Sequence, residues 1–438
     1  MTTPTITTKA DRFLRSRWYK LDMAGTLYPA IARTNWNSEF RLTAQMVQPV
    51  NSSALQKAVD KTLPRFPSMA VKLKAGLFWY YLEENDAKLI IQPKGGSFCQ
   101  PFRKGENNGF LLRVLFDEHS ISVEYFHAIT DGTGGMIFLK TLVAEYLRQS
   151  GYFIPSGNGV FSLEDIPSSD ETADAFSRFQ NVDAPLRHSA RKAYHFSGRQ
   201  LPRGELQGMN CKLSAQELKS ASARYQVTVT EFLAAVLLYT AYCTQREDHP
   251  KYPKPICISI PLNLRKRFGE RTIRNYSWFI NPRLDARKDY TFKDVICEVS
   301  TVLRNGSKPE NLTADIAPNR ALLGKRLFRL LPLPIKSTAI AAVYHFASDR
   351  PVSATMSNLG VIDLPDEMEP LVHSFAFHLG EPYGNTTNCA LVTYRDDLML
   401  CFTSNQATPL LPEKMISFLK EQGIQTIRES ERKYGRCQ

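Results

Sequence analysis

The chain has 438 residues, of which 43% are hydrophobic and 22% charged, with 25 Phe and 18 Tyr. This composition excludes a disordered protein, and the length exceeds what one hydrophobic core usually supports, so two packed lobes are expected. The net charge of +12 favours an anionic ligand, such as a phosphorylated cofactor, an acidic protein, nucleic acid or anionic lipid, without choosing among them. The basic residues are scattered, which is not typical of a nucleic-acid-binding tail.

The eight cysteines lie far apart and include no Cys-x-x-Cys pair, which favours a reducing compartment. The N-terminal stretch MTTPTITTKADRFLRSRWYK lacks the apolar core of a secretory signal, and no run of about 18 apolar residues follows it. We therefore expect a cytoplasmic protein without a membrane span. No metal-ligand spacing, dinucleotide fingerprint or P-loop is present, so no metal and no permanently bound cofactor is expected.

The first part of the chain predicts one helix, several strands and a second helix. An Asn-Ser-Ser cluster opens an amphipathic helix within residues 51–66, which Pro64 and Pro67 end. Strands are predicted at AVKLKAGLFWYYLE, KLIIQP, FLLRVLFDE and SISVEYF, and the last two form a hairpin. The period then changes, and GGMIFLKTLVAEYLRQSG predicts a helix that ends at Gly151.

Residues 152–205 show no sustained period, which predicts a crossing connection between two lobes. We place the lobes at 1–160 and 206–438, with the linker at 161–205. Ser214 caps a helix, and TVTEFLAAVLLYTAYCTQ predicts a long buried one. Strands are predicted at KPICISIPLNLR, YSWFINPRL, VSATMSNLG, HSFAFHLG, NCALVTYRDD and LMLCFTSN, before a last helix in LPEKMISFLKEQ. The alternation of helices with mixed or antiparallel strands predicts two α/β sandwich lobes.

The stretch HAITDG lies where the strand ISVEYF ends and the next helix begins. His127 therefore sits at a strand end, from which side chains project into clefts, and glycines from Gly132 onward let the turn pack closely. Asp131 could fix the histidine tautomer, or could brace the turn by pairing with an arginine. The spacing alone also fits a partly buried histidine followed by an ordinary Asp-Gly turn.

The residues His127, Asp131 and Gly132 match the H-x-x-x-D-G motif of the chloramphenicol acetyltransferase-like superfamily. That superfamily includes nonribosomal peptide condensation domains, the plant BAHD acyltransferases and the alcohol acetyltransferases. Further segments resemble it in the same order, namely RFPSMAVKL, TVTEFLAAVLLYTAY, ICISIPLNLRKRFG and SNLG at 357–360. Phe126 stands where condensation domains usually carry a first histidine, and the plant-type D-F-G-W-G signature is absent. The sequence is therefore most similar to bacterial proteins called alcohol acetyltransferases.

The resemblance implies two chloramphenicol acetyltransferase-like lobes with an active-site channel between them. It implies transfer of an acyl group, with acetyl favoured, from acyl-CoA as co-substrate to the hydroxyl or amine of a small acceptor, without a covalent acyl-enzyme. His127 would be the general base, because this reaction needs a base with a pKa near 7. Asp131 would be a structural support paired with Arg265, and Ser357 or Asn358 would stabilise the developing oxyanion.

Other interpretations stay open. An acyl carrier protein could deliver the donor, and a non-catalytic docking protein could keep the same fold; a monomer is expected in each case. Arg265, Arg274 and Asn275 are candidates for contact with the substrate or the cofactor phosphate, with a solvated face as the alternative for the stretch ERTIRNYSW. Tyr276 and Trp278 of this stretch, and Phe279 after it, are expected to pack in a core rather than line a pocket.

Overall fold

In the computed structural model, the described residues are 18–32, 38–96, 98–103, 105–180, 182, 191–202, 205–249, 251–346, 350–381 and 387–434. Residues 1–17, in which no secretory signal was found, lie outside these ranges. So do residues 183–190 of the expected linker, together with Cys437.

The helices of the described ranges are α1 (Leu27–Ile31), α2 (Ser52–Thr62), α3 (Gly132–Gln149), α4 (Ser169–Thr172), α5 (Ala215–Arg224), α6 (Val229–Glu247), α7 (Arg265–Phe268), α8 (Phe292–Gly306), α9 (Pro309–Gly324), α10 (Arg326–Leu330), α11 (Leu333–Tyr344) and α12 (Leu410–Glu421). The strands are β1 (Trp18–Lys20), β2 (Glu39–Met46), β3 (Val71–Ala75), β4 (Tyr80–Glu84), β5 (Gln92–Pro93), β6 (Leu112–Phe116), β7 (Ser120–Phe126), β8 (Leu206–Ser214), β9 (Ile256–Asn263), β10 (Ser277–Ile280), β11 (Arg283–Leu284), β12 (Ala354–Ile362), β13 (Val372–Leu379), β14 (Thr387–Tyr394), β15 (Asp397–Ser404) and β16 (Thr426–Tyr434).

The N-terminal lobe is built on a five-stranded sheet with the order β13-β2-β7-β6-β5. Alternate residues of β2, including Phe40 and Leu42, pack with α2 and α3 in one hydrophobic core. On the opposite face of the same sheet, Arg41 and Glu124 form a buried ion pair at 2.6 Å. A smaller sheet, β1-β4-β3, lies beside this lobe.

Strand β13 comes from the C-terminal half of the chain but forms the edge of the N-terminal sheet. It pairs antiparallel with β2 from Val372 opposite Met46 to Leu379 opposite Phe40. Its residue Phe377 joins the N-terminal core. The expected assignment of all of 206–438 to one lobe is therefore wrong at this strand.

The C-terminal lobe is a mixed sheet in which β10-β9-β12-β14-β15-β8-β16 are neighbours and β11 pairs with β9. The apolar helix α6 is buried against it, and Thr228 and Glu231 form a capping box at its first turn. Part of the expected linker is also folded, because Phe176 and Phe179 pack in a small core with Tyr276.

Helices α10 and α11 and the turn of the β3–β4 hairpin form what we call the cap. Lys336 of α11 joins these elements, since its buried Nζ donates to the carbonyl oxygens of Phe78 (2.8 Å) and Arg329 (3.2 Å). The same Nζ lies 3.4 Å from the centroid of the Trp79 ring, a cation–π contact. The sequence interpretation did not predict any of the helices from α8 to α11.

Within the described ranges, no single helix is long and apolar enough to cross a membrane; α5 and α6 reach that length and composition only together, with a bend of 79° between them. Nor do these ranges contain a group of three or more His, Cys, Asp or Glu side chains arranged to hold a metal ion.

Candidate active site

A cavity of about 480 Å³ lies between the two lobes and has His127 in its wall. The N-terminal sheet contributes Phe40 and Phe377, and the C-terminal sheet contributes Ser259 and Ser357. Helix α11 of the cap supplies a further wall. The described lining residues are mostly apolar and include no Lys or Arg, so the cavity offers apolar contacts and a few hydroxyl and amide groups.

The His127 ring is held by neighbours on its faces and edges. Strand β7 ends one residue earlier, and the main-chain N–H of His127 donates to the carbonyl oxygen of Ser38 at 2.8 Å. The Tyr28 ring stacks on the imidazole with centroids 4.4 Å apart, and Phe40 meets it at a steep angle at 5.1 Å. These contacts fix the plane of the ring, which the sequence placed correctly at a strand end.

A hydrogen-bonded chain from Asp22 sets the tautomer of His127. The amide Nδ2 of Asn275 donates to Oδ2 of Asp22 at 3.2 Å, so its Oδ1 faces the histidine. Because an amide oxygen only accepts, Nδ1 of His127 carries the proton and donates to that oxygen at 2.9 Å. The unprotonated Nε2 is left for the cavity that the side chain lines.

Burial shifts the pKa values of His127 and Asp22, the two ends of this hydrogen-bonded series, in opposite directions. Burial lowers the pKa of His127 below its ordinary 6.5, and the nearby charge of Asp131 opposes this shift. Burial raises the pKa of Asp22 to about 6, although Arg274 acts against it. At neutral pH the imidazole is therefore uncharged, and most Asp22 side chains are ionised and accept the Asn275 amide.

Asp131 braces the turn after His127. Its Oδ1 accepts from the N–H of Gly134 (3.1 Å), as the N-cap of α3, and its Oδ2 accepts from the N–H of Tyr276 (2.8 Å). Arg265 adds two further bonds to the same carboxylate, of 2.9 and 3.0 Å. Arg265 accordingly holds the pKa of this buried carboxyl below its usual value. With four donors around it, Asp131 does not hydrogen-bond to the His127 ring.

The residues after Asp131 pack tightly against the second lobe. A Cβ on Gly132 would lie 2.6 Å from Cδ2 of Leu359, which itself lines the cavity. A Cβ on Gly134 would overlap the carbonyl oxygen of Ile273. Gly132 and Gly134 therefore allow the motif turn to approach β12 and the segment before Asn275.

The SNLG segment lies within β12, which continues past it to Ile362. The register of β12 with β14 shifts between Asn358 and Val361, and Gly360 has φ +79°. Asn358 supports this bulge, because its Nδ2 donates to Thr230 (2.9 Å) and its Oδ1 accepts from the N–H of Gly360 (2.8 Å). Both Ser357 and Asn358 line the cavity.

The three residues expected to contact substrate or phosphate face the protein instead. Arg265 is buried and donates to Asp131 and to carbonyl oxygens. Arg274 is buried with its guanidinium 3.5 Å from Asp22 and bonded to the carbonyl oxygen of Lys20. Asn275 holds His127. These expectations are wrong because all three side chains are buried and bind other groups of the protein.

Two further expectations changed. Trp278 and Phe279 line the cavity, although Trp278 also packs against the small core that contains Tyr276. Sequence reasoning missed Asp22 and Tyr28, which come from a short N-terminal segment without regular pattern. Its Asp-Met-Ala-Gly stretch carries a turn signal at most, in which Asp22 accepts from the N–H of Gly25 at 2.6 Å.

Comparison with protein families and with curated proteins finds no match to this chain. Solved structures do resemble it. The trichothecene 15-O-acetyltransferase TRI3 of Fusarium sporotrichioides is 11% identical, with a TM-score of 0.61 and coverage of 95% of this chain and 96% of that one. F. graminearum TRI101, in complex with coenzyme A and T-2 mycotoxin, is 11% identical, with a TM-score of 0.61 and coverage of 96% and 100%. The condensation domain of the Monacolin K polyketide synthase MokA is 12% identical, with a TM-score of 0.57 and coverage of 93% and 96%.

These likenesses, which extend over nearly the whole of each chain, show the fold. This chain has the same two-lobed α/β fold as these two acetyltransferases and this condensation domain, which is the fold that the sequence resemblance implied.

Proposed function

We propose that this protein transfers an acyl group from the thioester of acyl-CoA to the hydroxyl of a small apolar acceptor, with His127 as general base. The observation that carries the proposal is the His127–Asn275 hydrogen bond, because it puts the proton on Nδ1 and leaves Nε2 able to accept one. The fold shared with two acetyltransferases supports the same reaction class.

In the proposed reaction, Nε2 of His127 removes the proton of the acceptor hydroxyl as its oxygen attacks the thioester carbon. The tetrahedral intermediate then collapses, the carbon–sulfur bond breaks, and the thiolate takes the proton from Nε2 to leave as free CoA. No residue becomes acylated. A neutral imidazole suits both proton transfers, since burial lowers its pKa and leaves it able to accept a proton at neutral pH.

The oxygen that becomes negative in this intermediate needs a hydrogen-bond donor. Ser357 is our candidate, because it lines the cavity, whereas the side chain of Asn358, which also lines it, is bonded at both ends to Thr230 and Gly360. Loss of such a donor typically costs about 2.7–4 kcal/mol of transition-state stabilisation.

The cavity wall defines the expected substrates. Its apolar surface and lack of Lys and Arg among the described lining residues favour an uncharged, hydrophobic acceptor and acyl chain. The phosphates of CoA would then stay outside the cavity, with only the pantetheine arm entering. An acyl carrier protein could present the same arm, so the donor is tested with both thioester forms.

The direct test is release of free thiol from acyl-CoA or acyl-pantetheine carrier protein in the presence of apolar alcohols and amines. His127→Ala should lower kcat by about 100-fold or more, the usual contribution of a general base. His119→Ala is the matched control, since this histidine lies in the β6–β7 turn, and it should keep full activity. Equal rates for parent and His127→Ala would reject the assigned base.

A further inference from the structure

The cap presents a set of large apolar side chains to solvent. Their exposed fractions exceed half in each case: Leu77 82%, Leu327 80%, Leu330 68%, Ile335 57%, Val343 59% and Phe346 55%. We call these six residues the cap surface. An exposed apolar set of this size is uncommon on a protein without an interaction partner and marks a binding surface.

The elements that carry the cap surface are joined to one another. The N–H of Leu333 donates to the carbonyl oxygen of Leu77 at 2.9 Å, which fixes the start of α11 to the hairpin turn. Phe328 of α10 meets the Trp79 ring of the hairpin with centroids 6.0 Å apart. Together with the Lys336 contacts, these bonds make the hairpin turn, α10 and α11 one continuous support.

Positive charge predominates in this region. Between Asp315 and Asp349 the sequence contains no acidic residue, while it contains five Lys or Arg. Lys325 and Arg329, on either side of Leu327, are exposed. Arg350, after α11, lies over the Phe346 ring with its guanidinium carbon 5.1 Å from the centroid. The apolar side chains are thus flanked by cations.

We propose that the cap surface binds a membrane surface that contains anionic lipid. Exposed Leu, Ile and Phe side chains gain free energy by entering the boundary between headgroups and acyl chains, and flanking Lys and Arg gain it from anionic headgroups. A second copy of this chain is a poorer occupant, because a two-fold interface would place the same cations against each other. A membrane surface with anionic lipid offers an apolar layer to the exposed side chains and negative charge to the flanking Lys and Arg.

The cap also lies at the cavity, which relates membrane binding to the entry of an apolar acceptor. Helix α11 lines the cavity with Ile340 and Tyr344, while Ile335 and Phe346 of the cap surface are exposed to solvent. Val343 does both, since it lines the cavity and is exposed. The cavity therefore opens beside the cap surface, and an apolar acceptor could pass from lipid to His127; this last step rests on the proposed function, whereas membrane binding does not.

The test is sedimentation of the full chain with vesicles of phosphatidylcholine alone or of equal parts phosphatidylcholine and phosphatidylglycerol. We expect binding to the anionic vesicles that weakens as salt is raised. Leu327→Ser with Leu330→Ser should weaken it about tenfold or more, because binding scales with the apolar area inserted. The matched control is Phe153→Ser with Ile166→Ser, at positions of 81% and 89% exposure outside the cap, and it should bind like the parent.

A charge variant, Lys325→Glu with Arg329→Glu, separates the two contributions and should lose most binding at low salt. Thermal unfolding followed by circular dichroism checks that each variant folds. If the parent does not bind anionic vesicles at low salt, or if the serine variant binds as well as the parent, the proposal is overturned. Light scattering that shows a dimer lost in the serine variant, without vesicle binding, would assign the cap surface to a second copy instead. Thiol release by the parent with a water-dispersed acceptor is a separate measurement, so failure of membrane binding would leave the proposed function standing.

Discussion

Arg265 donates two parallel hydrogen bonds of 2.9 and 3.0 Å to Asp131, one to each carboxylate oxygen, and both side chains are buried. Asp131 belongs to the turn of the N-terminal lobe, and Arg265 follows strand β9 of the C-terminal lobe. The pair therefore joins the two lobes directly beside His127. Such a planar, charge-assisted arrangement is specific to arginine and cannot be reproduced by lysine.

Asp131→Ala should lower the free energy of unfolding by about 3–5 kcal/mol, because it leaves the Arg265 guanidinium buried without its carboxylate. Denaturant titration followed by tryptophan fluorescence measures this loss. The double variant Asp131→Ala with Arg265→Met should be less destabilised than the sum of the single variants, since no unpaired charge remains. An Asp131→Ala protein with parental stability and no activity would contradict the bracing role.

Asp22→Asn should reverse the His127 tautomer. The one side-chain oxygen left at position 22 would still accept from the N–H of Gly25, so the new amide N–H would face Nδ2 of Asn275. Because two donors would then face each other, the Asn275 amide would flip. His127 would then receive a hydrogen bond at Nδ1 and carry its proton on Nε2, where a base is needed. We expect kcat to fall about 100-fold with little change in KM, since the substrate surface is untouched.

Nitrogen-15 spectra of histidine-labelled protein would show whether the proton moved from Nδ1 to Nε2 in this variant. Stability supplies a second readout, because Asp22 has a folded pKa of about 6 against an ordinary 3.8. Between these two pH values the folded protein binds this proton and the unfolded protein does not. The free energy of unfolding therefore falls as pH rises through this range, by about 3 kcal/mol in all. Asp22→Asn should remove that slope; an unchanged slope and an unchanged tautomer would refute the role of Asp22.

The pH dependence of kcat/KM should show an acid limb below pH 6.5. Only neutral His127 can accept a proton, and burial lowers its pKa, so activity is full at neutral pH and falls as pH drops through that lowered value. Asp131→Asn removes the charge that raises the pKa of His127, so the limb should move to still lower pH. A limb above pH 7 would show that another group controls the rate.

Gly134→Ala and Gly132→Ala should differ sharply. A Cβ at position 134 meets a backbone carbonyl that cannot move easily, so we expect a loss of about 3 kcal/mol or more in unfolding free energy. At position 132 the Cβ meets the end of the flexible Leu359 side chain, so the protein should fold while Leu359 shifts in the cavity. Lower activity with near-parental stability is the result expected for Gly132→Ala, and equal destabilisation by both would contradict this distinction.

The fold and the position of His127 were predictable because they depend on patterns within short stretches. Strand β7, helix α3 and buried helix α6 each have a period or a cap that is read locally. The ladder between β13 and β2 was not predictable, because it joins residues more than three hundred positions apart and leaves no local signal. Helices α10 and α11 were missed because their apolar residues do not form a single buried stripe.

Long-range contacts also decide which parts of the candidate active site could be predicted from the sequence. Arg265 and Arg274 were expected to contact substrate or phosphate, but whether a guanidinium faces a ligand or a neighbouring carboxylate depends on tertiary packing. Arg274 is bonded to the carbonyl oxygen of Lys20, more than 250 positions away. The role of Asn275 as the residue that orients His127 emerges only when Asp22 is seen on its other side.

The shared strand β13 restricts how this protein can be divided. A fragment that ends at the linker would lack the strand that pairs with β2, and its exposed edge would be a template for aggregation. Two fragments produced by a cut between the lobes should therefore not fold separately. A cut after β13 would instead separate β14 and β15 from their partners β12 and β8 in the C-terminal sheet. For the same reason we expect β13 to resist a wide hinging of the lobes, so that substrates enter through the rim of the cavity.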